Sequence, residues 1–259
     1  MTRILGLEVL DSRPLHGGDL SEVRLITLPD RQVVVKRGRD VATEARMLRA
    51  MARTGAPVPQ VLEVGDDVLV LSYLPETTPA TDTWRRLGAD LARMHGTVGD
   101  RYGWDEDHAF GAVRIDNTPN GDWPGFWAER RLLSGIADVP QDLAGRLERL
   151  AARLPGLLPK TPPAALLHGD LWAGNLLFTA ERGWLIDPAC YHGDAEVDLA
   201  MLHLFGRPGP GFDEGYGALR PGWQDRRPIY QLWPALVHLR LFGQGYRGMV
   251  ERCLGAIGA

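Results

Sequence analysis

The stretch LLHGDLWAGNLLFTAERGWLID, residues 166–187, decides the fold of this chain. Its apolar start stops at a histidine, a glycine and Asp170, and Asn175 follows five positions after that aspartate. Two short apolar runs then flank a turn at 181–183, and the second run ends at Asp187. Each of these residues alone has a structural explanation, because aspartate, asparagine and glycine are common in turns. Whether they form more than a turn depends on what the rest of the chain supplies.

The bulk composition is that of an ordinary globular protein. The chain has 259 residues, of which 44% are hydrophobic and 24% charged, with a formal net charge of −4. We expect no nucleic-acid partner, because such proteins usually carry a basic footprint. We expect no membrane association either, because no run approaches the roughly 18 apolar residues of a spanning helix and the first residues lack a signal peptide. With two cysteines, too few for a disulfide framework, the sequence predicts a cytoplasmic protein. It does not determine the oligomeric state, for which a monomer is favoured.

Lysine is rare in this chain. The 29 basic residues include only two lysines, Lys36 and Lys160. Lys36 stands in RQVVVKR, at the end of a β-branched run. A compact ammonium group on a flexible stem differs from a planar guanidinium group, so a lysine kept among arginines indicates a chemical role. Because two lysines are a small sample, a chemical role for Lys36 has to be judged together with the motifs described below.

Hydrophobic patterns predict a β-rich beginning and a helical remainder. Residues 22–37 and 60–76 each read as two strands around a turn, and 40–54 between them has helical spacing. From about residue 82 the apolar spacing is helical, and only a short β segment at 175–187 interrupts it before helices return at 196–206 and from about 225.

A proline-containing stretch, SYLPETTPA, separates the two patterns. It predicts a hinge at about residues 72–76 between a lobe of residues 1–75 and a lobe of residues 76–259. The fold class predicted is therefore α+β with two lobes. The small N-lobe is β-rich with one key helix, and the larger C-lobe is mostly helical.

Five residues in this arrangement match the requirements of phosphoryl transfer. Kinase-like enzymes use a strand lysine for the α- and β-phosphates of ATP, a helix glutamate that pairs with it, a catalytic-loop aspartate, and two Mg²⁺ ligands. Lys36 and Glu44 fit the first two roles. Asp170 fits the base that receives the hydroxyl proton, and Asn175 and Asp187 fit the Mg²⁺ ligands.

Structural explanations exist for each of these residues separately. Asp170 and Asn175 suit a turn, Asp187 suits a strand end, and Lys36 with Glu44 suits a surface ion pair worth under ~1 kcal/mol. Their occurrence together, in the right order and at suitable separations, favours the kinase-like site. The predicted two-lobed α+β fold is then of the protein-kinase-like type, with an N-lobe that binds the nucleotide.

Further nucleotide contacts are expected from the backbone. In the loop PLHGGDLSEVRL, Gly17 and Gly18 would let the chain approach the phosphates closely, and Ser21 would lie at the tip. This loop is not G-x-G-x-x-G, and a plain hairpin turn explains it equally well. The backbone of Ser72 and Leu74, at the predicted hinge, would bond the adenine edge.

The motifs resemble a known family. HGD followed by the asparagine is similar to small-molecule kinases related to aminoglycoside phosphotransferases and choline kinases. Five segments further resemble the fructosamine kinase, or ketosamine kinase, family: HGDLWAGN, IDPACYHGDAEVDLAMLHLFG, FWAERRL, RRPIYQLWPALVHLRLFGQGYRG and GGDLSEVRL. The similarity covers essentially the whole chain, and residues 167–206 are its most specific part.

The resemblance implies a reaction and a substrate. Family members use ATP to phosphorylate the O3 hydroxyl of ketosamines, the Amadori adducts that form when sugars glycate amines, and this leads to deglycation. The partner would be a small-molecule ketosamine or a glycated amine or protein. The resemblance assigns Asp170 as the base, Asn175 and Asp187 as Mg²⁺ ligands, and Lys36 with Glu44 as the ATP clamp.

Other residues near the loop take their expected roles from the same resemblance. Trp172, in HGDLW, would lie against the sugar or its amine substituent, as aromatic faces suit both. Packing of a buried tryptophan is the alternative. Asp198 is expected to brace the catalytic loop, and Glu196 to do the same. Asp19 stands where some relatives carry a cysteine, so no thiol switch is expected.

Three other functions compete with a ketosamine kinase. An aminoglycoside or other small-molecule phosphotransferase would use the same fold with a different acceptor pocket. A non-catalytic nucleotide-binding module would not need the base at Asp170. A protein kinase would carry an A-P-E segment and an activation loop after Asp187, and the sequence has neither.

Overall fold

A computed structural model describes residues 3–15 and 22–259. The chain divides into two compact units, each assembled from separate stretches of sequence. The first unit contains the described residues up to Met94 together with Ala173–Ala189 and Pro208–Gly217, and the second contains His95–Trp172, Cys190–Arg207 and Ala218–Ala259. The lobes of residues 1–75 and 76–259 remain a prediction.

Strands prevail at the beginning of the chain and helices at its end, as the sequence predicts. The strands are β1 (Arg3–Ile4), β2 (Leu7–Glu8), β3 (Asp11–Pro14), β4 (Glu22–Thr27), β5 (Gln32–Arg37), β6 (Val61–Val64), β7 (Val68–Ser72), β8 (His108–Phe110), β9 (Val113–Ile115), β10 (Ala165–Leu167), β11 (Leu176–Phe178), β12 (Gly183–Leu185) and β13 (Tyr191–Gly193). The helices are α1 (Val41–Arg53), α2 (Thr81–His95), α3 (Trp123–Trp127), α4 (Gln141–Leu157), α5 (Glu196–Leu202), α6 (Phe212–Tyr216), α7 (Trp223–Phe242) and α8 (Arg247–Ile257).

An antiparallel sheet in the order β3-β4-β5-β7-β6 forms the frame of the first unit. Both predicted hairpins, β4–β5 and β6–β7, are confirmed. On β5, Val33 and Val35 belong to a buried apolar cluster on one face of the sheet. Because successive strand residues point to opposite faces, Lys36 points to the other face. Its ion pair with Glu44 places α1 on that face.

A second, smaller hairpin belongs to the same unit. Strands β11 and β12 pair antiparallel, with Leu176 opposite Leu185, as predicted for residues 175–187. Asn175 directly precedes β11, and Asp187 follows β12 by two positions. The hairpin therefore holds both predicted metal ligands at its open end.

The second unit has a helical and aromatic core. Strand β10 pairs with β13, so that Leu167 lies opposite Tyr191, and β10 leads directly into the His-Gly-Asp segment. Trp123 and Trp127 on α3 are fully buried and pack around Tyr230 of α7. The predicted helix in FWAERRLL begins as α3 and continues as a π-helical turn, Ala128–Leu132.

That turn buries an arginine that the sequence pattern would leave exposed. Arg131 is fully buried, and its guanidinium lies 4.2 Å from the ring centroid of Tyr191 and 4.7 Å from that of Phe126. It donates hydrogen bonds to the Asp116 carbonyl and the Asn117 side chain. Aromatic faces and carbonyl groups thus replace water around the cation.

Among the described residues, no helix is both long and apolar enough to span a bilayer.

Candidate active site

Lys36 is shared between two carboxylates in the first unit. Its Nζ lies 2.7 Å from Oε2 of Glu44 and 2.8 Å from Oδ1 of Asp187. The side chains of Lys36 and Glu44 are only 11% and 10% exposed. A mostly buried pair of this geometry does not fit the alternative of a surface ion pair, because desolvated charges need such partners.

The pKa values of Lys36 and Glu44 depend on each other's charge and on the carboxylate of Asp187. Burial acts to lower the pKa of Lys36, but the carboxylates of Glu44 and Asp187 outweigh it, so the pKa is raised and the ammonium stays charged. Burial raises the pKa of Glu44, and Lys36 opposes that shift. The lysine is therefore a fixed positive charge that two anions hold in place.

Asp187 reaches this cluster through an unusual backbone conformation. Its φ is +53°, in the left-handed region, which is disfavoured by roughly 1–2 kcal/mol for residues with a side chain. A conformation of that cost persists only where the surrounding structure imposes it, and such positions concentrate at functional sites. Its side chain is 34% exposed, so solvent and ligands can reach the carboxylate.

Asn175 lies near Asp187 across the hairpin. The amide of Ile186 donates to the Asn175 carbonyl at 3.1 Å, so the residue preceding Asp187 bonds Asn175 directly. Asn175 is buried, with 6% of its surface exposed. The fold thus brings Lys36, Glu44, Asn175 and Asp187 together from three stretches of sequence.

In the second unit, the His-Gly-Asp segment is held from beneath by Asp198. This fully buried carboxylate accepts the His168 amide at 2.7 Å and the Gly169 amide at 2.9 Å, and it contacts His95 Nε2 at 3.1 Å. Gly169 has φ +82°, a conformation that favours glycine. The expectation that Asp198 braces the loop is confirmed.

The electrostatics of Asp198 support that role. Burial acts to raise the pKa of Asp198, but its interactions with His95 and with the Gly169 amide hold the pKa below its usual range. Asp198 is therefore a buried anion that holds both the loop and His95.

Asp170 follows at the exposed side of this braced segment. Its amide donates to His168 Nδ1 at 3.3 Å, and the residue is half-buried. The hydrogen bonds from Asp198 fix the backbone that precedes Asp170. A catalytic base needs a fixed position of this kind.

Trp172 is less buried than packing alone would require. It is 37% exposed and meets Phe205 edge to face, with ring centroids 5.8 Å apart. The alternative of a buried packing tryptophan therefore explains only part of its surroundings, and a large exposed apolar face is available.

The expected adenine contacts lie at the end of β7. The Ser72 amide donates to the Gln60 carbonyl, and the Ser72 hydroxyl accepts the Gln60 amide, both at 2.9 Å. The Ser72 amide is thus engaged within the sheet region, which leaves Leu74, half-buried beyond the strand, as the expected backbone donor. The expected phosphate-loop residues Gly17, Gly18 and Ser21 lie outside the described residues.

The expectation that Glu196 braces the catalytic loop is wrong. Glu196 is 3% exposed and accepts a bidentate pair from Arg226, with a further bond from Arg220. Arg220 also pairs with Asp194, which accepts the Tyr230 hydroxyl. Glu196 therefore ties α5 to residues around the start of α7. Sequence reasoning missed this network because both arginines lie 24 or more positions away.

The brace gives a prediction about stability. Asp198→Ala should lower the free energy of unfolding by about 3 kcal/mol, because it leaves His95 and two loop amides without their buried acceptor. Urea denaturation measures the loss. Asp138→Ala, which removes a partner of Arg240 at a 66% exposed side chain, is the matched control and should cost under ~1 kcal/mol.

The same variant tests the sign of the pH dependence. The folded pKa of Asp198 is depressed, so its stabilisation is complete above the ordinary aspartate pKa of about 3.9 and is lost as the pH falls through the folded value. The gap between wild type and Asp198→Ala should narrow in acid. A gap that widens below that pH would contradict the assignment.

Known proteins are similar to this chain in sequence and architecture. The profile described as fructosamine kinase matches residues 4–258. A probable ketoamine kinase of Thermus thermophilus is 38% identical over an aligned length of 254 residues, and the alignment covers 94% of this chain and 92% of that one. The crystal structure of a "putative fructosamine-3-kinase" from Thermobifida fusca has 32% identity and a TM-score of 0.89, over 97% of this chain and 94% of that one.

A more distant structure supports the fold. Amicoumacin kinase, solved with AMP-PNP, Ca²⁺ and Ami, has 19% identity and a TM-score of 0.61, over 95% of this chain and 87% of that one. With these likenesses the predicted α+β, protein-kinase-like fold class is confirmed.

Proposed function

The chain belongs to the fructosamine kinase family and is a phosphotransferase, and we propose that it transfers the γ-phosphoryl group of ATP to the O3 hydroxyl of ketosamines. The observation that carries this proposal is the mostly buried Lys36, held at 2.7 and 2.8 Å between Glu44 and Asp187. Phosphoryl transfer is catalysed mainly by positioning and electrostatic stabilisation, and a fixed cation beside a reachable carboxylate supplies both.

In this proposal Lys36 binds the α- and β-phosphates, and Glu44 keeps it in place. An uncompensated ammonium group would be costly in so buried a position. The ion pair with Glu44 offsets that cost in the absence of nucleotide. Lys36 therefore need not be reoriented during the reaction. Leu74 and the loop of Gly17, Gly18 and Ser21 complete the proposed nucleotide contacts.

The donor atoms of Asn175 and Asp187 fit a magnesium ion. Among residues 3–15 and 22–259, no group of three or more histidine, cysteine, aspartate or glutamate side chains could hold a metal. Mg²⁺ does not need one, because it binds through one or two carboxylates together with substrate phosphates and water. A carboxylate and an amide oxygen are the hard ligands that it prefers. When bound, the ion neutralises the charge of the phosphates.

Asp170 acts as the base in this proposal. It accepts the proton of the acceptor hydroxyl as the oxygen bonds to phosphorus and the bond to ADP breaks. The loop braced by Asp198 sets its position, and a positioned base contributes roughly 10²–10⁴-fold. ADP and a phosphorylated ketosamine are the products.

The proposed acceptor contact is tested at Trp172. Trp172→Ala should raise KM for a ketosamine about tenfold, since a stacked aromatic face is worth about 1 kcal/mol beyond its buried area. KM for ATP should stay within about twofold. Steady-state kinetics with each substrate varied in turn separates the two effects. Equal losses on both sides, or a collapse of the melting temperature, would favour a packing role for Trp172.

The substrate class is tested by a panel of acceptors. The related proteins are named as ketoamine and fructosamine-3-kinases, which supports a ketosamine acceptor here. ADP release should be measured with fructosyl-lysine, ribulosyl-lysine, an aminoglycoside and choline at equal concentrations. Turnover confined to the ketosamines supports the proposal. Turnover confined to the aminoglycoside would replace it with the drug-kinase alternative.

A further inference from the structure

Five aromatic rings of the second unit form a continuous row that begins at Trp172. Adjacent members meet with ring centroids 4.9–5.8 Å apart, which is the separation of interacting aromatic pairs. The aromatic row consists of Trp172, Phe205, His238, Phe242 and Tyr246. Their positions in the sequence span residues 172–246, so only the fold assembles them.

The aromatic row faces solvent. Trp172 is 37% exposed, Phe205 39% and Phe242 50%, and these are three of the five large hydrophobic residues that are exposed in the described part of the chain. Single exposed apolar residues are common on protein surfaces, but a contiguous group of them marks a binding site. The three exposed rings, which His238 joins into one row, therefore require an explanation.

The aromatic row is also uncharged. Its histidine is His238, where burial lowers the pKa, so the imidazole is neutral at physiological pH. His238 Nδ1 lies 2.8 Å from the Pro234 carbonyl, which can only accept, so Nδ1 carries the proton. Neutral aromatic faces bind apolar chains and cationic groups, and they offer nothing to a phosphate or a carboxylate.

We propose that the aromatic row is the subsite for the amine-borne part of the ketosamine, and that Phe205 and Phe242 determine which glycated amines this chain prefers. The inference rests on the proposed function, because it takes Trp172 to lie beside the sugar. Trp172 follows Asp170 by two residues, so the end of the row at Trp172 starts beside the proposed base. From there the rings lead outward to exposed Phe242, where a substituent longer than the sugar would extend.

The substrate class follows from the chemistry of the rings. A substituent with an apolar stem or an aromatic group gains contact along the row, and a small one such as methyl reaches no further than Trp172. The apolar stem of glycated lysine belongs to the first class. The row therefore selects ketosamines of extended apolar amines over those of small amines.

Two acceptors with the same sugar test this selection, namely fructosyl-benzylamine and fructosyl-methylamine. Wild-type enzyme should show the larger kcat/KM with the benzylamine adduct. Phe242→Ala and Phe205→Ala should each reduce the ratio of the two kcat/KM values by about threefold to tenfold, through KM for the benzylamine adduct. Leu10→Ala, which removes an apolar side chain that is 60% exposed in the other unit, is the matched control and should leave the ratio unchanged.

The possible outcomes separate the subsite from the reaction. If wild-type enzyme phosphorylates both adducts and the ratio is the same in all variants, the aromatic row is not a subsite and the proposed function stands. If neither adduct is phosphorylated, the proposed function fails and the subsite with it. Melting temperatures of the variants within a few degrees of wild type show that any loss is local.

Discussion

Asp170→Asn is expected to lower kcat by at least about 100-fold while the protein stays folded, because positioned general bases contribute roughly 10²–10⁴-fold. Asparagine keeps the shape of the side chain but cannot accept the hydroxyl proton. The backbone of the loop is held by Asp198, which accepts the His168 and Gly169 amides, so the substitution should leave the loop in place. KM for ATP should change little, since the lost interaction belongs to the transition state.

Two controls make this result specific. The melting temperature of Asp170→Asn should match that of wild type, and Asp82→Asn, at a side chain that is 76% exposed, should keep full activity. Turnover of Asp170→Asn near the wild-type value, in a properly folded protein, would remove Asp170 from the role of base.

Lys36→Arg is expected to reduce kcat/KM for ATP by about 10- to 100-fold, although it keeps the charge. Hydrogen bonds to charged groups contribute about 1.5–3 kcal/mol, and the larger, planar guanidinium cannot reproduce a compact ammonium held between Glu44 and Asp187. Initial rates at varied ATP concentration measure the effect.

The neighbouring residue provides the reverse substitution as a control. Arg37 lies on the same strand, points to the opposite face, and pairs at 3.1 Å with Asp67, whose side chain is 71% exposed. Arg37→Lys should leave kcat/KM for ATP unchanged, because an exposed pair contributes under ~1 kcal/mol. An unimpaired Lys36→Arg enzyme would show that the scarcity of lysine carries no chemical meaning here.

Local patterns were sufficient to predict much of the fold. The hairpins β4–β5 and β6–β7 and helix α1 follow from alternation and helical spacing over short windows. The pairing of Lys36 with Glu44 was also predictable, because a strand and the next helix place them close in sequence. Asp198 was assigned by resemblance, and the structure shows its hydrogen bonds to the loop.

Features that depend on distant residues were not predictable in this way. Lys36 and Asp187 are 151 positions apart, and no periodicity reports that they touch. Arg131 is buried because rings from other segments surround it, whereas a local pattern counts an arginine as surface. The ion pairs of Glu196 with Arg220 and Arg226 were not predictable either, because the arginines are distant from Glu196 in the sequence.

The aromatic row shows the same limit in the candidate site. Phe205 and Phe242 lie in segments that resemble the fructosamine kinase family, but the resemblance assigned them no role, and a phenylalanine in or next to a helical segment is ordinarily interpreted as core. Their exposed fractions and their continuity with Trp172 are properties of the folded chain alone.

The fate of the product tests the central claim most directly. A glycated lysine derivative incubated with the enzyme, ATP and Mg²⁺ should gain one phosphate. Mass spectrometry and ³¹P NMR measure this gain. A phosphate on O3 is positioned for elimination, because enolisation between C1 and C2 of the sugar expels it as inorganic phosphate. Water then hydrolyses the resulting imine and releases the unmodified amine with a dicarbonyl sugar.

The predicted result is therefore a transient phosphorylated ketosamine that releases equal amounts of inorganic phosphate and free lysine derivative on standing. With Asp170→Asn it should form at least about 100-fold more slowly. A stable ketosamine phosphate would place the phosphate on another hydroxyl and contradict deglycation. No phosphorylated ketosamine at all, under conditions in which the enzyme consumes ATP with another acceptor, would contradict the proposed function.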